Sequence, residues 1–211
     1  MMKIALIGTH GTLKTTVAHS LCVALKQERY KIKLVQEVAS DCPYEINGVD
    51  IEAQKWILVN QYSREMEAEM AVNGNRTPPD IVVCDRSTLD AYIYTVDLCK
   101  KQGMEIPKWM SYLTKASLSG YDFLFKTSIF SGGLIEDGTR SVDPVWQKEI
   151  FDLLNSYLQR WKVPHYCLPY STIDGIENPS KNDLRQLAEE QVNYMIKVIL
   201  NNGKGKSKKR R

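Results

Sequence analysis

Long hydrophobic runs are missing from this chain. Ile4–Ile7 and Ile81–Cys84 are four residues each, far short of the ~20 that a membrane-spanning helix needs. A secretory leader is not expected either, since Lys3 is followed by only four apolar residues before Gly8. The five cysteines (Cys22, Cys42, Cys84, Cys99 and Cys167) form no CxxC pair. Their odd number and scatter argue against a disulfide framework and against a structural zinc site. A reducing, cytoplasmic setting is the expectation. No internal repeat with a period of about 20–50 residues is visible.

What is present is ordinary in amount and uneven in placement. Hydrophobic residues make up 43% and charged residues 25% of 211 positions, enough for one well-buried domain and far from a disordered composition. The formal charge of +3 hides a split. Residues Asn202 to Arg211 carry six of the 28 cations and no acid. The body that remains has 22 cations against 25 acids, a balance of −3. Residues 1–201 are therefore read as the folded domain, and 202–211 as a disordered basic tail.

Short β-branched runs alternate with longer helical patterns. Strands are predicted at Lys3–Ile7, Lys31–Gln36, Ile81–Cys84, Tyr121–Lys126 and His165–Leu168. Helices are predicted at Lys14–Arg29, Ile51–Val72, Thr88–Lys101, Lys108–Leu118, Pro144 to about Trp161, and Asn182–Leu200. Asn73-Gly74-Asn75 and Pro78-Pro79 close the second helix. Strands alternating with helices mean parallel pairing, with helices on both faces of the sheet.

The stretch Gly8-Thr9-His10-Gly11-Thr12-Leu13-Lys14-Thr15-Thr16 lies between the first strand and the first helix. That is the context a phosphate-binding loop of the pattern GxxxxGK[ST] requires. Its N–H groups and the following helix N-terminus would hold a phosphate chain. Lys14 would face the β- and γ-phosphates, and the Thr15 hydroxyl would ligate Mg²⁺. Leu13 departs from the pattern, which has glycine there. Its side chain either turns into the core and leaves its N–H in place, or weakens nucleotide binding.

Further polar residues fall at strand ends. Asp85 closes the third predicted strand and could hold magnesium-bound water, beside the loop in a parallel sheet. The adjacent Arg86 could bridge phosphoryl oxygens in the transition state. Glu37, after the second strand, could take a proton from an acceptor hydroxyl. Arg140, in Ile135-Glu136-Asp137-Gly138-Thr139-Arg140-Ser141 behind Gly132-Gly133, suits a lid arginine. Gln54 and Gln61 share a face of the long second helix and could read a base edge, with Trp56 or Tyr62 stacking on a ring.

Together, the GTHGTLKTT loop, the QEVA strand end, CDRS and EDGTRS resemble, over roughly residues 3–170, the P-loop nucleoside and nucleotide kinases. The DR pair is similar to that of thymidylate kinases, and DRS to the acid-Arg-Ser of deoxynucleoside kinases. With DGxRS the set also resembles nicotinamide-riboside-kinase-like domains and phage kinases that phosphorylate hydroxymethyluracil in DNA. The acid pattern after the third strand differs from the nicotinamide type.

The resemblance implies a three-layer P-loop NTPase fold with a five-stranded parallel sheet. It implies ATP and Mg²⁺ as cofactors and transfer of the γ-phosphoryl to a nucleoside, a nucleotide or a hydroxymethylpyrimidine. Lys14 and Thr15 would serve donor phosphates and metal, Asp85 the metal, Arg86 and Arg140 the moving group, and Glu37 the acceptor. The basic tail could hold a polynucleotide. The alternative is a non-catalytic nucleotide- or nucleic-acid-binding protein with a degenerate loop. A GTPase is disfavoured, because no NKxD follows a strand.

Overall fold

The computed structural model describes residues 1–44, 50–70, 77–130 and 143–206, with side chains to residue 202. Five strands, β1 (Met2–Ile7), β2 (Ile32–Val35), β3 (Ile81–Asp85), β4 (Phe123–Lys126) and β5 (Tyr166–Cys167), alternate with six helices. These are α1 (Lys14–Gln27), α2 (Ile51–Glu69), α3 (Thr88–Gln102), α4 (Lys108–Leu118), α5 (Pro144–Arg160) and α6 (Lys181–Lys206). All four strand pairings are parallel, in the order β2-β3-β1-β4-β5. The expected three-layer α/β architecture is the one observed.

Side-chain alternation sorts the core into two layers. Ile4 and Leu6 of β1, Ile81 and Val83 of β3, and Phe123 and Phe125 of β4 point to one face, against Val17, Leu21 and Leu25 of α1 and Val192 and Met195 of α6. Ala5, Ile7, Val82, Cys84 and Leu124 point to the other, against Leu89 and Ile93 of α3 and Ile150, Leu154 and Leu158 of α5. A strand covered on both faces has no polar side, which is why β1 and β3 read as unbroken apolar runs.

Helix ends follow their capping chemistry. Asp143 accepts from the N–H groups of Val145 and Trp146 and so starts α5 at Pro144. Asp50 starts α2 by accepting from Glu52 at 2.8 Å. Gly103, at φ +66°, stops α3 in the left-handed conformation that glycine adopts without strain.

Most boundaries shift from expectation by one to three residues, among them β2 (Ile32–Val35) and the ends of α1 and α2, and three shifts bear on the architecture. β4 begins at Phe123, not Tyr121, and β5 is only Tyr166–Cys167. α6 runs on to Lys206, past the expected end at Leu200 and into the segment assigned to the tail. Extending an existing helix costs far less than starting one, so residues without an apolar face can still be helical. Residues 207–211 lie outside those described. Among the described residues, no helix is long and apolar enough to cross a membrane.

Candidate functional site

The carboxyl ends of β1 and β3 converge because those strands are neighbours, with Leu6 opposite Asp85. The loop after β1 and the segment after β3 therefore sit side by side, and Arg86 N–H donates to Leu6 O at 3.1 Å. β4 lies on the other flank of β1, which brings Thr127 up to the same loop; its N–H donates to Ile7 O at 2.9 Å.

The loop from Gly8 to Lys14 folds around the side chain of Lys14, a residue only 4% exposed. Lys14 Nζ donates to Thr9 O and, at 3.2 Å, to Thr12 Oγ1. Thr12 Oγ1 also reaches Thr9 O at 2.9 Å and Thr127 Oγ1 at 2.7 Å. Gly8, at φ +150°, has room for no side chain, because a Cβ there would overlap Thr127 Oγ1. Leu13 takes φ +60° and ψ 13° as the N-cap of α1, so it adopts the left-handed geometry that the expected glycine would supply. Its half-buried side chain packs on the cluster between the sheet, α1 and α6. Thr15 is half-buried and Thr16 exposed at the start of α1.

His10 is buried beside Trp146 and Tyr94, with ring centroids 5.0 and 6.2 Å away. Its N–H meets Tyr94 Oη at 3.1 Å, and its carbonyl accepts from Gln147 Nε2 at 2.8 Å. α3 and α5 thus fix the tip of the loop from outside.

Asp85 is 1% exposed, and its Oδ1 has no hydrogen-bond partner among the described residues. A buried anionic oxygen left open in this way suits a cation or its bound water, which would satisfy it. Arg86, at φ +76°, directs Nε to Glu37 Oε1 at 2.5 Å, with its guanidinium 5.9 Å from the centre of the Tyr94 ring. Both side chains of the pair are largely covered, at 14% and 16% exposure.

Charge coupling follows from this crowding. Burial and the nearby Arg86 push the Lys14 ammonium down to about 7, while Asp90, Asp85 and Glu37 pull the other way. Burial alone would lower Arg86, but Glu37, Tyr94, Asp90 and Asp85 together outweigh it, and the guanidinium is held above its ordinary range.

Of the acceptor candidates, Glu37 is brought to the site through Arg86. Gln54 is buried on α2. Gln61, two turns further along α2, is 2% exposed and donates Nε2 to Glu65 Oε1 at 2.8 Å and to Arg86 O at 3.4 Å, which ties α2 to the segment that carries Arg86. Trp56 packs into the apolar cluster of α2, α3 and α4, and Tyr62 is half-buried. Arg140 lies outside the described residues.

Some residues that build the site carry no obvious signature. Glu65 is fully buried on α2 and pairs with Lys3 Nζ at 2.7 Å, and Tyr121 Oη donates to it at 2.7 Å. Nothing in the spacing of α2 announces that. Asp90 accepts from Gly8 N–H, and Ser87-x-x-Asp90 is a helix-start signature that could have drawn attention to it.

Solved structures with this fold include deoxyadenosine kinase from M. mycoides with bound dATP, at 14% identity and TM-score 0.63, covering 94% of this chain and 99% of that one. Thymidylate kinase from Ehrlichia chaffeensis is similar at 16% identity and TM-score 0.58, covering 92% and 98%. The NadR protein, in complex with NAD and AMP-PNP, is similar at 12% identity and TM-score 0.56, covering 80% of this chain and 44% of that one. Comparison with curated proteins gives no match. The fold is that of the P-loop nucleoside and nucleotide kinases. A family model described as an AAA domain matches residues 3–174, and the chain belongs to that family.

Proposed function

We propose that this protein is a Mg-ATP-dependent phosphotransferase that moves the γ-phosphoryl of ATP to a hydroxyl or phosphate of a nucleoside-like acceptor. The observation that carries the reading is the convergence of Lys14, Asp85 and the Arg86–Glu37 pair at one end of neighbouring strands.

In this reading the phosphate chain lies in the Gly8–Thr16 loop and Lys14 exchanges its bond to Thr9 O for phosphate oxygens. The negative charge of those oxygens restores a firmly protonated ammonium. Thr15 and Asp85 are the residues that would hold Mg²⁺, which neutralises phosphate charge when bound. Arg86 orients Glu37 and faces the charge that builds on the moving group. Glu37 takes the proton of an acceptor hydroxyl as its oxygen bonds to the γ-phosphorus, while the bond to the β-phosphate oxygen breaks and ADP leaves. Arg140 is assigned to the same group by the resemblance alone.

The test is ATP-dependent transfer to a panel of nucleosides, nucleotides and duplex DNA carrying a hydroxymethylated pyrimidine. Lys14→Ala is expected to lower transfer by about a hundredfold or more. A wild-type chain that phosphorylates nothing on the panel, yet binds ATP by calorimetry, points to the second reading: a nucleotide-binding protein without turnover, motivated by Leu13.

A further inference from the structure

Asp90 lies one turn into α3 and is not part of any phosphate-loop pattern. It is 3% exposed, and both of its oxygens are used. Oδ1 accepts from the N–H of Gly8, the first residue of the loop, at 2.9 Å across 82 residues of sequence. Oδ2 accepts from Ser87 N–H at 2.9 Å and from Ser87 Oγ at 2.8 Å. One carboxylate therefore joins the start of the phosphate loop to the segment that carries Asp85 and Arg86.

The local half of this arrangement, with Ser87 Oγ accepting from Leu89 N–H, is ordinary helix capping. The Gly8 half is not. Capping α3 needs nothing from β1, and a buried carboxylate is costly unless its bonds are made.

Gly8 has little freedom to find another partner. It sits at φ +150° against Thr127, and the loop that follows it closes on Lys14. A shift of its amide would move the Lys14 cradle relative to Arg86. We infer that Asp90 is a positioning residue for phosphoryl transfer, which locks the Gly8 amide to the Ser87 turn and so fixes Lys14 and Arg86 at the spacing a phosphate chain requires. This inference rests on the phosphotransferase reading above.

Asn at position 90 keeps the shape but offers one accepting oxygen where two are used, so either Gly8 or Ser87 faces an NH₂ group. Calorimetric titration with Mg-ATP at neutral pH, with unfolding temperature measured in parallel, separates the two halves. Asp90→Asn is expected to weaken ATP binding by about tenfold, or ~1.4 kcal/mol. Ser87→Ala removes the cap on Leu89 and one of the two bonds to Oδ2, but leaves the bonds of Asp90 to Gly8 N–H and Ser87 N–H in place. It is expected to lower the unfolding temperature and leave ATP affinity unchanged.

Equal losses of affinity in the two variants would reduce Asp90 to a helix cap and overturn the inference, as would unchanged affinity in Asp90→Asn. If Asp90→Asn does not fold, Asp90→Glu displaces the carboxylate by one methylene and is expected to show the same tenfold loss. Unchanged affinity there overturns the inference equally. A wild-type chain that binds no ATP removes the phosphotransferase reading itself, and the role of Asp90 with it.

Discussion

Leu13 shows how far a single residue can depart from a pattern while keeping its geometry. The left-handed backbone at φ +60° costs a residue with a Cβ roughly 1–2 kcal/mol relative to glycine. Packing of its half-buried side chain on the cluster beneath α1 returns about 1 kcal/mol. The two nearly cancel, so Leu13→Gly is expected to change unfolding free energy by less than ~1 kcal/mol. It removes bulk beside the loop, and ATP affinity measured by titration should rise. A fall in affinity would mean that the leucine side chain itself shapes the nucleotide site. At this scale the placement of Lys14, Asp85 and Arg86 beside one another was readable from the sequence, because each sits at a fixed offset from a strand end. Gln61 and Glu65 were not. Their inward bonds depend on Tyr121, Lys3 and Arg86, which approach from distant parts of the chain.

Among the elements, α6 is held at its middle by a set of short polar bonds. Glu190 accepts from Ser171 Oγ, from Thr172 Oγ1 at 2.6 Å and from Thr172 N–H at 3.2 Å. Burial pushes the Glu190 carboxyl up, but the bonds from Ser171 and Thr172 outweigh it and hold it below its ordinary range. A depressed carboxylate stabilises the fold fully above its unfolded value and loses that contribution as pH falls through the folded one. Glu190→Gln is therefore expected to cost about 0.5–1 kcal/mol at neutral pH after solvent screening. The gap between variant and wild type should narrow as pH falls below the ordinary carboxylate range and through the lowered folded-state value. Denaturant melts at several pH values measure it, and a gap that persists at acid pH would assign the effect to packing. Existence and order of the elements were legible, since β1 and β3 are buried on both faces and the helices are periodic. Ends were less so. β5 has only two residues in its ladder, and the length of α6 depends on helix propagation, to which hydrophobic periodicity is blind.

All five strands are parallel, so Lys14, Asp85 and Arg86 gather at the carboxyl edge of the sheet. Gln191 Nε2 of α6 donates to Pro169 O, just past β5, and α6 packs beside α1 with Ile199 in the core. The sixteen residues from Gln191 to Lys206 cover about 22 Å. Removing residues 203–211 is expected to leave phosphorylation of a free nucleoside unchanged while abolishing salt-sensitive retention on DNA. Loss of both together would place the tail in the catalytic unit. Glu190 and Gln191 tie α6 to the segment after β5, so any sliding of α6 along α1 would pull on Ser171, Thr172 and Pro169 and carry to the end of β5.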